Sequence, residues 1–217
     1  MHVVALATQK GGTGKSSLAV SLAVAAMERG VKVIVMDMDP QGTARNWYER
    51  RKAPLPQVAS VEASRLPAVL AKLWAQGCEL VFIDTAGVDL PSAAACMQAA
   101  DLCLIPARPS IADIEATKPT VRSLAKLGRA FAFVLNQCPS GRTLRASDAY
   151  NALQLDGIVA GTAIANRVDH IDALAQGLGV TERNPAGKAA SVIRDLLQWV
   201  LLRVNWKRNH EEKACVA

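Results

Sequence analysis

A glycine-rich loop near the start of the chain constrains the fold more than any other part of the sequence. An apolar segment, His2–Ala7, is followed at once by the residues QKGGTGKSS, which run from Gln9 to Ser17. A Gly-Lys-Ser sequence at the junction of a strand and a helix is the core of a phosphate-binding loop, in which backbone N–H groups and the helix N-terminus surround phosphate oxygens. The first glycine of the common pattern would stand at position 9, where this chain has Gln. The loop therefore predicts a strand–loop–helix unit that binds a phosphorylated ligand.

Apolar segments alternate with helical patterns along the rest of the chain. Strands that are apolar throughout are typical of a parallel sheet buried on both faces, so we expect an α/β fold with a doubly wound, mostly parallel sheet and helices on both faces. The predicted strands are His2–Ala7, Val31–Met36, Leu80–Ile83, Leu102–Ile105, Ala130–Leu135 and a weaker one at Ile158–Ile164. The predicted helices are Ser16–Arg29, Thr43–Arg51, Arg65–Gln76, Pro91–Ala99, Ile111–Leu127, Leu144–Leu153 and Ala189–Val204.

The composition is that of a protein with a sizeable core. Of 217 residues, 51% are hydrophobic and 20% are charged, which excludes a largely disordered chain. We expect one domain over residues 1–206 and a flexible basic and polar tail over residues 207–217. The longest apolar run is too short to cross a bilayer, the N-terminus lacks the basic start of a secretory signal, and the five cysteines form no paired motif. A soluble protein of the reducing cytoplasm is the expectation.

The loop contains two lysines with different expected tasks. Lys15 is expected to reach the β- and γ-phosphates of a nucleotide, and Ser16 to ligate Mg²⁺. Lys10 stands five residues earlier, and the two cations would repel each other unless negative charge lay between them. Lys10 is therefore expected to reach phosphates too, of its own nucleotide or of one held by a second subunit. The remaining residues of the cradle are Gly11, Gly12, Thr13, Gly14 and Ser17.

Two further apolar strands end in aspartate. One is followed by DMDPQG, which begins at Asp37 and includes Asp39, and the other reads VFIDTAG, with Asp84 as its carboxylate. An aspartate at the end of a buried strand can hold Mg²⁺ or its water opposite the γ-phosphate. The pair at 37 and 39 could place one carboxylate on an attacking water. Either motif alone also fits a helix cap, so the prediction depends on their occurring with the loop.

Together the segments KGGTGKSS, DMDPQG, FIDTAG and IPARPSIAD resemble the ParA/MinD family of deviant Walker A ATPases. The likeness covers about residues 1–200 and is greatest to the short ParA partition proteins that lack an N-terminal DNA-binding domain. It implies that Lys10 crosses to the partner's nucleotide in an ATP-bound sandwich dimer, and that Lys15 and Ser16 hold phosphate and Mg²⁺. It also implies that Asp39 positions the hydrolytic water with support from Asp37. Asp84 would act on the metal through water, and Asn136 would contact the adenine, although Asn136 taken alone is more typical of a turn.

The resemblance implies a Mg²⁺-dependent ATPase that works as a slow switch. ATP would favour a homodimer that binds DNA without sequence preference, and a small ParB-like centromere-binding protein would stimulate hydrolysis. Such a protein segregates plasmid or chromosomal DNA in the bacterial cytoplasm, on the nucleoid, without stable membrane association.

Three other readings compete with this function. A MinD-like membrane-associated ATPase would need an amphipathic C-terminal helix, and the basic segment 200–208 has some of that character. An iron–sulfur ATPase would need cysteines such as Cys96 and Cys103 at a dimer interface. A ParA relative could instead position a protein cargo or conjugation machinery.

The distribution of charge suggests where DNA would bind. The formal net charge of +6 lies entirely within residues 118–217. No helix-turn-helix is recognisable, so contacts to phosphates are expected rather than to bases. The expected DNA contacts are Arg167, Arg183, Lys188 and Arg194, and Arg142, Arg145 and Arg203 are further candidates.

Overall fold

A computed structural model describes residues 1–86, 91–141 and 143–206. The predicted tail at 207–217 and the candidate Arg142 lie outside these residues. Within them, no helix combines the length and the apolar character that a membrane span requires.

Six strands form one fully parallel sheet, which confirms the predicted fold class. Their order across the sheet is β3-β2-β4-β1-β5-β6, so the first strand lies inside the sheet, between β4 and β5. The strands are β1 His2–Leu6, β2 Val33–Asp37, β3 Gln57–Ser60, β4 Leu80–Asp84, β5 Leu102–Ala107 and β6 Phe131–Leu135.

Helices cover both faces of the sheet. The connections between parallel strands must cross from one end of the sheet to the other, and helices make those crossings here. The helices are α1 Lys15–Glu28, α2 Thr43–Arg50, α3 Leu66–Ala75, α4 Pro91–Ala99, α5 Ile111–Glu115, α6 Lys118–Lys126, α7 Leu144–Asp156, α8 Val168–Ala175, α9 Val180–Arg183 and α10 Lys188–Arg203.

Alternate residues of each strand point into two separate hydrophobic layers. Val4 and Leu6 of β1 pack in the layer that contains α1, α2 and α8–α10. Val3 and Ala5 pack in the opposite layer, which contains α3, α4, α6 and α7. This division explains why the strand sequences are apolar throughout.

The predicted elements differ from the structure in three places. The edge strand β3 was not predicted, because Gln57–Ser60 is short and only half-buried. The predicted strand at Ile158–Ile164 is wrong as a continuous strand. The segment makes one isolated parallel bridge to β6, at Val159, and a backbone hydrogen bond from Ile164 to the Leu135 carbonyl at 2.9 Å, and a second bridge follows at Ala165. The predicted helix Ile111–Leu127 is divided into α5 and α6 near Thr117, two residues before Pro119, a residue that lacks a backbone donor and starts a helix readily.

A buried arginine joins α2 to the C-terminal helices. The Arg51 guanidinium is fully buried and binds both carboxylate oxygens of Glu182, at 2.6 and 2.8 Å. It also donates to the Leu55 and Gly177 carbonyls at 2.6 and 3.0 Å, and lies 5.1 Å from the ring centroid of Trp47. Burial alone would raise the pKa of the Glu182 carboxyl, but the Arg51 hydrogen bonds and a backbone N–H outweigh it and lower that pKa. Both side chains of the pair are therefore charged at neutral pH.

We expect Arg51→Ala to lower the free energy of unfolding by about 3–5 kcal/mol, because it leaves the half-buried Glu182 carboxylate without its partner and the Leu55 and Gly177 carbonyls without their donor. Urea denaturation at pH 7 measures this loss. Since the pKa of Glu182 is lowered in the folded protein, the ion pair stabilises the protein above about pH 4.5. This contribution is lost as the pH falls through the pKa that Glu182 has in the folded protein. The difference between wild type and variant should therefore shrink towards pH 3.

Arg45→Ala is the matched control, because it removes an arginine of α2, the helix that ends just before Arg51, and the ion pair of Arg45 with Glu49 is exposed. It should change stability by no more than about 0.5 kcal/mol. Equal losses in the two variants would contradict a special contribution from the buried pair.

Candidate nucleotide site

The loop after β1 lies at the carboxyl edge of the sheet and is built by backbone conformations that favour glycine. Gly12 and Gly14 have φ values of 74° and 91°. In this conformation the chain turns into α1, whose first residue is Lys15. Gly11 and Gly12 are exposed, Thr13 is buried, and Ser16 and Ser17 are half-buried in the first turn of α1.

Two side chains at the end of β6 hold this loop. The Asn136 side-chain amide donates to the Thr13 carbonyl at 2.7 Å, and Gln137 donates to the Gly12 carbonyl at 3.0 Å. The Asn136 side-chain oxygen in turn accepts the backbone N–H of Gln137 at 2.9 Å. A side chain at position 14 would not fit, because its Cβ would lie 2.3 Å from the Asn136 amide nitrogen. These contacts fix the loop from a strand more than 120 residues further along the chain.

Lys15 is a buried cation directed into the loop. Its Nζ donates to the Lys10 carbonyl at 3.3 Å, and only 6% of the residue is exposed. Burial lowers the pKa of Lys15, while the negative charges of Asp84 and Asp39 act in the opposite direction. A desolvated ammonium group next to an anion-binding loop is placed to bind phosphate oxygens.

Asp84 is a fully buried carboxylate whose two oxygens are free to coordinate a cation. Neither of its oxygens has a hydrogen-bond partner among the described residues. Burial raises its pKa to about 7, the Ser16 hydroxyl opposes that rise, and the charge of Asp37 adds to it. A buried carboxylate without partners is costly unless it is neutralised or meets a cation. Carboxylate and hydroxyl oxygens are the ligands that Mg²⁺ prefers, so Asp84 and Ser16 fit a magnesium site in which water completes the coordination.

The loop after β2 presents the second pair of carboxylates. Asp37 is buried and accepts the backbone N–H groups of Asp39 at 3.1 Å and Arg45 at 2.8 Å. Burial raises the pKa of Asp37, and these two hydrogen bonds act against the rise. Asp39 is half-buried and accepts the Gln41 N–H at 2.9 Å. Asp37 thus organises the loop, while Asp39 faces the cleft.

Lys10 forms an ion pair within its own chain. Its Nζ lies 3.3 Å from a carboxylate oxygen of Asp113, a residue that is 4% exposed. Arg108 binds the other oxygen of Asp113 at 2.9 Å, and the Ser110 hydroxyl also bonds to the carboxylate. Burial would raise the pKa of Asp113, but its hydrogen bonds from Ser110 and Arg108 and the Arg108 charge lower it. The segment that follows β5 therefore holds Lys10 beside the loop.

A single cleft of about 410 Å³ collects most of the predicted nucleotide-site residues. Its lining combines the loop, the start of α1 and the β2 loop, which supply donors for phosphates and carboxylates for a metal. The lining residues are Gly11, Gly12, Gly14, Lys15, Ser16, Ser17, Asp39, Gln41, Thr43 and Gln137.

Gln137 and Asp113 are functional candidates that the sequence did not predict. Gln137 follows directly after Asn136 and has a left-handed φ of 53°, rare for a residue other than glycine. Asp113 belongs to the PARPSIAD segment noted in the sequence, but its contact with Lys10 depends on tertiary structure.

The predicted DNA contacts do not share one environment. Arg183 binds the carboxylates of Asp169 and Asp172 at 3.2 and 2.7 Å. Arg194 donates to the Pro185 carbonyl at 2.6 Å and lies 3.7 Å from Glu28. Arg167 is half-buried before α8, and Lys188 is exposed at the start of α10.

The cysteines that could suggest an iron–sulfur site lie inside the fold. Cys96 and Cys103 have no exposed surface, and burial raises the pKa of each thiol to about 12. No group of three or more metal-ligating side chains occurs within residues 1–86, 91–141 and 143–206. This geometry disfavours a cluster shared across a dimer.

Comparisons with known proteins agree with the site. The model described as the CobQ/CobB/MinD/ParA nucleotide binding domain matches residues 4–180. The chain is 33% identical over 185 residues to the maintenance of carboxysome distribution protein A of Gloeobacter kilaueensis, covering 83% of this chain and 84% of that protein. It is 26% identical over 238 aligned positions to the chromosome-partitioning ATPase Soj of Thermus thermophilus, covering 93% and 96%. The septum site-determining protein MinD of Pyrococcus horikoshii, solved with Mg-ADP, has the same fold, with a TM-score of 0.74, 20% identity and coverage of 92% and 95%.

We expect Gly14→Ala to weaken nucleotide binding by about tenfold or more. The added Cβ would displace Asn136 and release the loop, and alanine is strained at a φ of 91°. Titration with a fluorescent nucleotide analogue measures the affinity, and thermal unfolding measures the accompanying loss of stability.

Gly141→Ala controls for backbone strain, because Gly141 has a φ of 89° and nothing lies within 4 Å of the added Cβ. The Gly141→Ala variant should unfold at a lower temperature than the wild type but bind the nucleotide analogue with the same affinity. If both variants bound equally well, the contact between Asn136 and the loop would not matter for binding.

Proposed function

The chain belongs to the CobQ/CobB/MinD/ParA nucleotide-binding family, and on that basis we propose that it is a ParA-type partition ATPase. It binds ATP and Mg²⁺, dimerises in the ATP state and binds DNA without sequence preference. A small ParB-like partner stimulates its slow hydrolysis of ATP. Residues 1–206 form one ATPase domain that acts in the bacterial cytoplasm, on the nucleoid.

The convergence of three charged groups at the phosphate loop carries this proposal. The Lys15 ammonium and the half-buried Asp39 carboxylate line the cleft itself. The unpartnered Asp84 carboxylate is buried behind it, close enough to Lys15 for its charge, like that of Asp39, to oppose the fall in the Lys15 pKa. A cation for phosphate, an oxygen ligand for a metal and a carboxylate for water are the groups that phosphoryl transfer to water requires.

Each residue has a separate task in the proposed reaction. The loop N–H groups and Lys15 bind the phosphates and stabilise the charge that develops on them. Ser16 would hold Mg²⁺ and Asp84 would act on it through water, and the bound metal would supply positive charge that neutralises the phosphates. Asp39 orients the attacking water and accepts its proton, while the hydrogen bonds of Asp37 to the β2 loop keep Asp39 in place. Asn136 holds the loop through the Thr13 carbonyl, and the family resemblance assigns it the adenine contact as well.

Lys10 links the nucleotide to dimerisation. In the ATP state its ammonium would leave Asp113 and bind the phosphates of the nucleotide in a second copy of the chain. ATP then favours the dimer, because only its γ-phosphate gives Lys10 an anionic partner across the interface that outweighs Asp113.

Positioning of a protein cargo is a second candidate function. The observation that favours it is the 33% identity to a protein named for maintenance of carboxysome distribution, whereas the relative named for chromosome partitioning is 26% identical. Both functions use the same ATP-dependent cycle on DNA and differ in the partner protein.

The burial of α10 argues against the MinD-like membrane alternative. A membrane-binding helix needs its bulky apolar side chains exposed, but Leu196, Leu197, Val200 and Leu201 lie in the core. Leu202 alone among the α10 leucines is exposed.

We expect Asp39→Ala to reduce the ATP hydrolysis rate by about 10²-fold or more while nucleotide binding persists, because the water loses its orienting base. Release of inorganic phosphate measures the rate. Glu49→Ala, which removes an exposed carboxylate from α2, should hydrolyse ATP like the wild type. A wild-type rate in Asp39→Ala would rule out the assigned role.

We expect the wild type to be a monomer of 23.0 kDa with ADP and a dimer with a non-hydrolysable ATP analogue. Lys10→Ala should remain a monomer with both, because it lacks the charge that crosses the interface, whereas Lys72→Ala, on the exposed surface of α3, should dimerise normally. Light scattering gives the masses, and equal masses of the wild type in both nucleotides would refute the switch.

A further inference from the structure

The excess positive charge of the chain is confined to a short part of the sequence. Residues 116–147 contain six Lys and Arg residues and no Asp or Glu. The formal net charge of the whole chain is +6, so the other residues hold 19 charges of each sign. Residues 148–206, which include α8–α10 and the expected DNA contacts, hold five Lys and Arg against six Asp and Glu, so this region has no excess positive charge.

Four of these six cations form what we call the basic stripe, defined as Lys118, Arg122, Lys126 and Arg129. The first three recur every fourth residue on α6, within about 80° of arc and over about 12 Å, and Arg129 follows shortly after the end of the helix. All four residues are exposed, and none forms an ion pair or a side-chain hydrogen bond with a described residue. The buried face of α6 carries Thr120 and Leu124 instead.

The cations of the basic stripe are unpaired within the described residues, whereas three arginines on the other face of the sheet each have a partner within the chain. Arg183 is held by two aspartates, Arg194 is bound to Pro185 and lies near Glu28, and Arg203 lies over the ring of Trp199. Helix α6 packs in the layer with Leu124 and Phe133, whereas α10 packs in the layer with Ile193. The stripe and the expected contacts on α8–α10 therefore lie on opposite faces of the molecule.

The fold does not require the basic stripe. Like charges at a spacing of four residues repel each other and weaken a helix, and a lysine at the start of α6 opposes the helix dipole. Because no acidic side chain of the described residues pairs with these cations to offset their mutual repulsion, the stripe is suited to binding an anion from outside the protein.

The basic stripe has no apolar surface, which favours DNA over an acidic protein as its partner. Residues 116–141 are all described, and no large apolar side chain among them is exposed. Stable protein interfaces have an apolar core with aromatic anchors, whereas contact with a phosphate backbone needs only cations. A row of exposed cations along one helix face fits successive phosphates of a duplex.

We propose that the basic stripe on α6 is the main DNA-contacting surface of this protein, ahead of the arginines of α8–α10. The proposal rests on the proposed function, since it names the surface that the ATP-bound dimer uses. It adds Lys118, Arg122, Lys126 and Arg129 as contacts and makes Arg183 and Arg194 structural residues.

The test compares two triple variants that each remove three positive charges. The stripe variant is Lys118→Gln with Arg122→Gln and Lys126→Gln, and the control variant is Arg167→Gln with Lys188→Gln and Arg203→Gln. Binding to two unrelated duplexes is measured with Mg²⁺ and a non-hydrolysable ATP analogue at a series of salt concentrations. Light scattering and thermal unfolding are recorded for every protein.

We expect the stripe variant to lose about tenfold or more in affinity on both duplexes. The slope of log affinity against log salt should fall by about 3 for each protomer whose stripe contacts the duplex, one for each lost phosphate contact. The control variant should bind within about threefold of wild type. The charge-preserving variant Lys118→Arg with Arg122→Lys and Lys126→Arg should bind like wild type. Dimer mass should be unchanged throughout, and the Tm of the stripe variant should equal or exceed that of wild type, because repulsion is relieved.

Three outcomes would overturn the proposal, and they are distinguishable. If the control variant lost binding and the stripe variant did not, DNA binding would stand but through α8–α10. If the wild type dimerised with the ATP analogue yet bound neither duplex at low salt, the DNA part of the proposed function would fail along with the stripe. If the stripe variant had a lower Tm than wild type, the residues would serve the fold instead.

Discussion

The register of three parallel strands is the constraint on which the site depends. Asp37 pairs with Asp84 across β2 and β4, and Asp84 pairs with Leu6 across β4 and β1. The phosphate loop begins just beyond Leu6, so the register brings two buried carboxylates and the loop to one edge of the sheet. A shift of one residue would turn these side chains to the opposite face, because side chains alternate along a strand.

The electrostatics of the site indicate a protein prepared for a charged ligand. Asp84 is buried without a hydrogen bond, its pKa is raised to about 7, and the pKa of Lys15 is lowered by burial. Such buried charges destabilise the ligand-free protein, and the binding of a phosphate and a metal would stabilise them. The stability that they cost is compensated elsewhere, by a buried core on both sheet faces and by the Arg51–Glu182 pair.

The parts of the structure that local patterns control were predicted well. The strands β1, β2, β4, β5 and β6 were recognised as apolar segments that end at loops, and the parallel α/β fold followed from their alternation with helices. Prediction failed where tertiary contacts outweigh the local pattern. Strand β3 is short and polar enough to resemble a loop. The segment at Ile158–Ile164 is apolar because it packs beside β6, but it pairs with that strand only in part, through a bridge at Val159 and a backbone hydrogen bond at Ile164.

The sequence by itself determined the phosphate loop, the two aspartate-ended strands and the fold class, because each depends on residues that are neighbours along the chain. Only the tertiary structure decided that Asn136 and Gln137 hold the loop, that Asp113 holds Lys10, and which cations remain unpaired. The number of arginines and lysines can be counted in the sequence, but whether a carboxylate faces each of them depends on contacts between distant segments. Arg183 meets its aspartates because α8 and α9 fold together, whereas α6 presents Arg122 to solvent, where it forms no ion pair with a described residue.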